Sequence, residues 1–209
     1  AHHDTQADSV GADDNGSGVA GILTLARALA PQPRRRTIRL ISFGAEEQLS
    51  VGSSAYVRAH REELRLHGRL MFNLDAFGSL MGWTEIICNG PPELLGLVRS
   101  AFTRHGLPVR MLDGLVPYAD HFPFVAAGVP GLWMWRPNCP SGRFFHHRPD
   151  DDSSRLSIPL MGRLLAALAE FEGELANVPD LPFGRTIPAH QADSVSQYWD
   201  DLFGGWSSE

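Results

Sequence analysis

Short apolar runs alternate with amphipathic segments along this chain, and that alternation predicts the fold. Apolar residues recur at helical spacing over 19–30, where Pro31 ends the first predicted helix. Further helices are predicted over about 53–67, 93–105 and 157–175. Strands are predicted over 37–43, 69–74, near 109 and over 132–135. Strands that alternate with helices favour an α/β fold, with a mostly parallel mixed sheet and helices on both faces.

Length and composition favour one globular domain and give the limits of that domain. The chain has 209 residues, of which 43% are hydrophobic, and this is enough for a sizeable core. We expect the domain to occupy residues 1–178. Residues 179–209 form a tail that contains Pro, Ser and Gly. The tail could pack back on the domain through its amphipathic residues Tyr198, Trp199, Leu202 and Phe203, or it could be extended.

Charge and hydropathy exclude several classes of partner. The formal charge is −6 and Arg34–Arg36 is an isolated basic triplet, so we expect no nucleic-acid partner. No apolar run approaches the roughly 18 residues that span a bilayer, so we expect no membrane segment. The abrupt start at 1–4 suggests that an upstream part is missing. Whether Cys88 and Cys139 pair is left open by their spacing.

Acidic residues and histidines gather where predicted strands end. Each group taken alone is typical of a solvated turn, as Glu46 and Glu47 after the strand 37–43 illustrate. The six groups are His2 with Asp4, Asp13 with Asp14, Glu46 with Glu47, Asp75, Asp120 with His121, and His146 and His147 with 150–152. Ligands bind outside the carboxyl ends of strands in such folds, so we expect the six groups to converge on one sheet edge. Carboxylates at that density need cations, and His with carboxylate ligands suits zinc, with cobalt or manganese as substitutes.

Five ordered motifs carry a resemblance to a known family. They are 1–5 (AHHDT), 11–18 (GADDNGSG), 44–47 (GAEE) with Gly52 and Ser53, 73–75 (NLD) and 146–151 (HHRPDD). In content and order they resemble the M28 family of zinc aminopeptidases over about residues 1–175. The resemblance implies the fold of the zinc aminopeptidases, a phosphorylase/hydrolase-like α/β/α sandwich. It also implies that the upstream strands of that fold are missing here. It also implies a peptidase catalytic domain over 1–178 with two zinc ions and a bridging carboxylate.

The resemblance also implies a role for each motif residue. His2 would bind zinc, and Asp4 would be the carboxylate that orients it. Asp14 would bridge the two ions, with Asp13 as the alternative one register step away. Glu46 would be the general base. The remaining zinc ligands would be Glu47, Asp75 and His147, with Asp151 supporting His147.

Two assignments within these motifs keep alternatives. His146 with Asp150 has the same spacing as His147 with Asp151. Adjacent residues of an extended segment point to opposite sides, so we expect only one of the two histidines, His147, to face the metals. Asp120 and His121 either shape the pocket and hold the metal environment, or Asp120 caps a helix.

The implied activity is removal of an N-terminal residue from a peptide or aminoacyl substrate by a zinc-activated water. A glutaminyl cyclase, which shares the fold but uses one zinc, is one alternative. A non-catalytic homologue that serves as a binding domain is another. The resemblance favours a secreted or periplasmic location without deciding it, and the oligomeric state stays unknown.

Overall fold

The computed structural model describes residues 1–139 and 143–206, and it contains a four-stranded sheet with helices on both faces. The strands are β1 (Met71–Leu74), β2 (Thr84–Asn89), β3 (Val109–Leu112) and β4 (Gly131–Trp135). The helices are α1 (Gly18–Leu29), α2 (Val51–Ala59), α3 (Arg61–His67), α4 (Pro92–Arg104), α5 (His121–Ala126), α6 (Ile158–Asn177) and α7 (Ala189–Phe203). A π-helical turn (Ala12–Ser17) and a 3₁₀ turn (Ser153–Arg155) complete the set. The predicted α/β class is confirmed.

The sheet has the order β1-β4-β2-β3 and mixed pairing. β1 runs parallel to β4, and β2 runs parallel to β3, whereas β2 and β4 are antiparallel. The carboxyl ends of β1 and β4 therefore lie at one edge of the sheet, and those of β2 and β3 lie at the opposite edge.

Alternating side chains of the sheet separate two layers of helices. Leu132 and Met134 of β4 join the core beside α1, α4 and α6, together with Ile86 of β2. Trp133 and Ile87 point to the opposite face. This second face is where α5 lies, and α5 packs in turn against α2 and α7. No helix in the described part of the chain is long and apolar enough to cross a membrane.

The predicted strand over 37–43 is wrong as a regular strand. Only Phe43 is paired, through a parallel bridge to His2 in which the Phe43 N–H donates to the Ala1 carbonyl at 2.9 Å. Among the described residues no strand pairs with 37–42, so its backbone groups join no ladder. A groove of about 640 Å³ is lined by this segment and by β1.

Other predicted elements differ from the observed ones in ways that their sequence explains. The helix expected over 53–67 is two helices, because His60 leaves the helical region at φ −110° and ψ 17°. The strand β2 was not predicted, since its apolar run is only the three residues 86–88 between polar ends. The tail folds back as α7, whose Trp199 is buried, and residues 207–209 lie outside the described part of the chain.

Candidate metal centre

Asp75 directly follows β1 and is held at the sheet edge by main-chain bonds. Its N–H donates to the Met134 carbonyl at 3.2 Å, and its carbonyl accepts from the Trp133 indole at 3.2 Å. Ala76 then turns the chain at φ +53°. Asp75 is 3% exposed, so its carboxylate is buried.

Asp14 is placed by a turn that is bonded to the same strand end. The Asn15 amide donates to the Leu74 carbonyl at 3.0 Å, and its oxygen accepts from the Ala76 N–H at 3.2 Å. The Asp151 carboxylate accepts from the N–H groups of Asp13 at 2.9 Å and Asp14 at 3.0 Å. These bonds fix the loop so that the buried Asp14 carboxylate lies beside Asp75.

His2 and the two adjacent glutamates are joined by one carboxylate. Asp4 accepts from the N–H groups of Glu46 and Glu47, each at 3.2 Å. The His2 Nδ1 lies 3.1 Å from the Asp4 carbonyl oxygen and 3.5 Å from its carboxylate. The parallel bridge between His2 and Phe43 brings these two chain segments together.

A first group of ligand atoms surrounds the Nε2 atom of His2. This nitrogen lies 3.2 Å from Asp14 Oδ1, 3.6 Å from Asp75 Oδ1 and 3.7 Å from Glu46 Oε2. His2 is fully buried and Glu46 is 8% exposed. Ligand atoms of His2, Asp14 and Asp75 all lie within 4.8 Å of one another, which is close enough to hold one metal ion.

A second group of ligand atoms shares Asp14 with the first. The Asp14 Oδ2 atom lies 2.8 Å from His146 Nδ1 and 3.3 Å from His147 Nε2. The same His147 nitrogen lies 2.9 Å from Glu47 Oε2. Asp14 therefore presents one oxygen to each group, which is the arrangement that a bridging ligand requires.

The expectation that only one of the two adjacent histidines faces the cluster is wrong. Residues 145–148 form a turn in which His147 has φ +58°, so the alternation of an extended segment does not apply. The rings of His146 and His147 lie with their centroids 3.4 Å apart, and both approach Asp14.

The contacts of three further acidic residues bear on the roles expected from the sequence. Asp151 does not support His147, because its carboxylate is occupied by the backbone of the Asp14 turn. The Asp13 carboxylate accepts from the Gly78 N–H at 2.8 Å, so Asp14 is the member of the pair that faces the cluster. Asp120 makes no side-chain bond that caps α5 and is fully buried.

The carboxylates give the cluster a strong affinity for positive charge. Burial opposes charge on His2, but the nearby carboxylates of Asp14 and Asp75 outweigh burial and raise its pKa to about 12. Burial and then the charge of Asp75 raise the pKa of Glu46 to about 9. The pKa of Asp14 is lowered, because the three histidines beside its carboxylate outweigh its burial. Cations held here would replace these protons.

A family model described as Peptidase family M28 matches residues 1–171. The chain belongs to peptidase family M28. Aminopeptidase YwaD of Bacillus subtilis is 33% identical over 167 residues, which cover 75% of this chain and 36% of YwaD. Leucine aminopeptidase 2 of Trichophyton equinum is 38% identical over 142 residues, or 62% of this chain and 28% of that protein.

Solved M28 structures share the fold. The crystal structure of BSAP, a zinc aminopeptidase from Bacillus subtilis, superposes with a TM-score of 0.77 at 25% identity. The match covers 90% of this chain and 48% of BSAP. The chain thus spans less than half the length of each of these M28 relatives.

The donor set of this M28 chain fits zinc on its own geometry. Buried atoms of the cluster that have no hydrogen-bond partner within the described ranges include His2 Nε2, Asp75 Oδ1 and Glu47 Oε1. Buried polar atoms without partners are costly, and cations bound by the two groups would satisfy these three. Imidazole nitrogens and carboxylate oxygens are ligands that zinc accepts.

Two residues at the centre could not be predicted from the sequence. Asn15 follows the acidic pair in its motif, and only its bonds to β1 reveal that it positions the turn. Arg143 places its guanidinium 3.5 Å from Asp14 Oδ2 and 3.6 Å from Asp75 Oδ1. No motif marks Arg143, which therefore had no signal in the sequence.

Zinc binding to metal-depleted protein at pH 7 is expected to release protons. The pKa values of His2 and Glu46, about 12 and about 9, lie above this pH, so both groups carry protons before the metal enters. A ligating imidazole must give up its proton, and nearby cations lower the pKa of Glu46. Calorimetric titration in phosphate and in Tris should therefore give different apparent enthalpies. Equal enthalpies in the two buffers would contradict this protonation pattern.

Proposed function

We propose that this chain removes N-terminal residues from peptides as a zinc-dependent aminopeptidase. The observation that carries the proposal is the shared Asp14, whose two oxygens face two separate groups of ligand atoms. One zinc ion would be held by His2, Asp14 and Asp75. The other would be held by Asp14, Glu47 and His147.

Glu46 is suited to be the general base. Its carboxylate lies beside the first group, 3.7 Å from His2 Nε2, while its Oε1 is 3.4 Å from the Ser50 hydroxyl. When bound, two zinc ions lower the pKa of a water and polarise the scissile carbonyl. Glu46 takes the proton of that water and passes it to the nitrogen of the leaving amine.

Adjacent glutamates can divide these tasks because their side chains diverge. Asp4 binds both main-chain N–H groups, so the backbone of Glu46 and Glu47 is fixed. From it the Glu46 carboxylate turns to His2, and the Glu47 carboxylate turns to His147 at 2.9 Å. The proposed base Glu46 therefore lies beside the first group of ligand atoms, and the proposed ligand Glu47 belongs to the second group.

The proposal is tested by metal content and by peptide-bond hydrolysis on the purified 209-residue chain. We expect about two zinc ions per chain by elemental analysis, and release of anilide from aminoacyl anilides that stops when a chelator is added. Anilides with an acetylated amino group are the control, since an aminopeptidase leaves them intact. A zinc-loaded chain that hydrolyses none of the panel would overturn the proposal. One zinc with cyclisation of N-terminal glutamine would indicate the cyclase instead.

His147 is expected to be the ligand of the second group, rather than His146. Both reach Asp14, but His147 also contacts Glu47, so it joins the two other members of that group. His147→Ala should lose about one zinc ion per chain, whereas His146→Ala should keep both. Elemental analysis of the two variants decides the matter, and the opposite pattern would assign the ligand to His146.

A further inference from the structure

The C-terminal helix α7 lies beyond residues 1–171, which the family model matches, yet Gln191 in its first turn is bonded to Asn89 at the end of β2. Its buried residues Gln191, Val195 and Trp199 are spaced four apart and form one stripe. Val195 and Trp199 pack with Phe122 and Val125 of α5. Gln191 is the polar member of the stripe and is only 2% exposed, so its amide needs partners.

Two backbone carbonyls fix the orientation of a buried pair of amides. The Gln191 nitrogen donates to the Asp113 carbonyl, so its Oε1 faces Asn89 and accepts from the Asn89 nitrogen at 3.0 Å. The second hydrogen on that nitrogen goes to the Gly114 carbonyl at 3.1 Å. Both Asn89 donors are used, and its Oδ1 is left as an acceptor.

The free acceptor of Asn89 determines the tautomer of His121. Asn89 Oδ1 lies 3.0 Å from His121 Nε2, so this ring nitrogen must carry the hydrogen. Complete burial keeps the ring neutral and lowers its pKa to about 3. The hydrogen-bond chain that begins on α7 therefore sets both the orientation and the tautomer of the first residue of α5.

The His121 ring connects this chain to the metal centre. It lies against the Trp133 indole, with ring centroids 5.8 Å apart and an interplanar angle of 31°. The Trp133 indole donates to the Asp75 carbonyl at 3.2 Å. A shift of the His121 ring would move the indole, and with it the main chain that carries a proposed ligand.

We propose that Gln191 is a positioning residue for Asp75, acting through Asn89, His121 and Trp133. This inference rests on the proposed function, in which Asp75 binds zinc. It makes α7 a part of the active domain, because the helix contributes the first member of the chain that holds a ligand in place.

The test is Gln191→Met in the full chain, since Met is close to Gln in size and removes both hydrogen bonds. Nitrogen-15 spectra should show His121 protonated at Nε2 in the wild type and as a tautomer mixture in the variant. Zinc affinity and kcat should each fall about tenfold with KM unchanged, as for other partners that orient metal ligands. Gln197→Met, on the exposed face of the same helix, is the matched control and should change none of these quantities.

A second control separates positioning from stability. Val195→Ala weakens the packing of α7 without touching the hydrogen-bond chain, so it should lower Tm and leave the tautomer and the zinc affinity unchanged. Gln191→Met with wild-type zinc affinity, or wild-type His121 protonated at Nδ1, would overturn the inference. If the wild-type chain binds zinc but hydrolyses no substrate, only the proposed aminopeptidase activity is ruled out. If the wild-type chain binds no zinc, the proposed activity and the positioning role of Gln191 are both ruled out.

Discussion

Glu46→Gln is expected to lower kcat by about 10³-fold while the zinc content stays unchanged. The amide has almost the shape of the carboxylate but cannot accept the proton of the water. Glu46 lies beside His2, but it is not one of the three residues His2, Asp14 and Asp75 whose ligand atoms lie within 4.8 Å of one another. The loss should therefore appear in turnover and leave metal binding intact, as measured by steady-state kinetics and elemental analysis of the same sample.

Glu62→Gln is the matched control for this substitution. Glu62 is exposed on α3, pairs with Arg65 one turn later and is not a proposed ligand or base. Exposed pairs of this kind contribute little to stability, so this variant should keep wild-type turnover. Appreciable activity in Glu46→Gln would remove the general-base role, and a loss of zinc would make Glu46 a ligand.

Asp14→Asn is expected to lower the zinc content to at most about one ion per chain and to remove activity. An amide offers one good ligand oxygen, so it cannot bridge two ions in place of a carboxylate. Substituting residues that merely orient ligands costs about 10- to 100-fold, so loss of a shared ligand should cost at least 100-fold. Elemental analysis and anilide hydrolysis measure both effects.

Asp13→Asn separates the two possible registers of the acidic pair. The Asp13 carboxylate accepts from the Gly78 N–H, and an asparagine oxygen can accept the same bond. This variant should therefore keep its zinc. If Asp13→Asn lost zinc and Asp14→Asn kept it, the bridging role would pass to Asp13. Circular dichroism of both variants confirms that neither loss reflects unfolding.

The residues that meet at the centre could be predicted because each motif keeps its ligand types in a short stretch. His2, Asp14, Glu46, Glu47 and His147 come from separate segments, yet the structure places them within one cluster. The resemblance supplied their order, and the need to neutralise buried carboxylates supplied the reason for cations.

What the sequence could not predict depends on direction and local conformation. A left-handed residue at His147 turns two neighbouring rings toward one aspartate, and a sequence pattern does not record φ. Likewise, Asp151 lies four residues after His147, but a long-range contact assigns its carboxylate to the turn at 12–17. Spacing alone predicts a neighbour along the chain and cannot predict such a contact.

The direction of each strand is the other feature that the sequence could not predict. The expectation that all six groups meet at one sheet edge assumed that each strand ends there. Because β2 is antiparallel to β4, the ends of β2 and β3 lie at the far edge, where Asn89 and Leu112 are found. Apolar patterns are the same in either direction, so only the folded sheet shows that His121, the first residue of α5, lies 3.0 Å from Asn89 at that far edge.

The single Asp4 carboxylate that binds the main chain of both glutamates has a consequence for any family of variants. A change at Asp4 displaces the proposed base and the proposed ligand together, since Glu46 and Glu47 have this anchor in common. Across a series of Asp4 substitutions, loss of zinc and loss of turnover should rise in proportion. Substitutions at Glu46 should lower turnover without loss of zinc. The two series together therefore separate the effect of a displaced backbone from the effect of lost proton transfer.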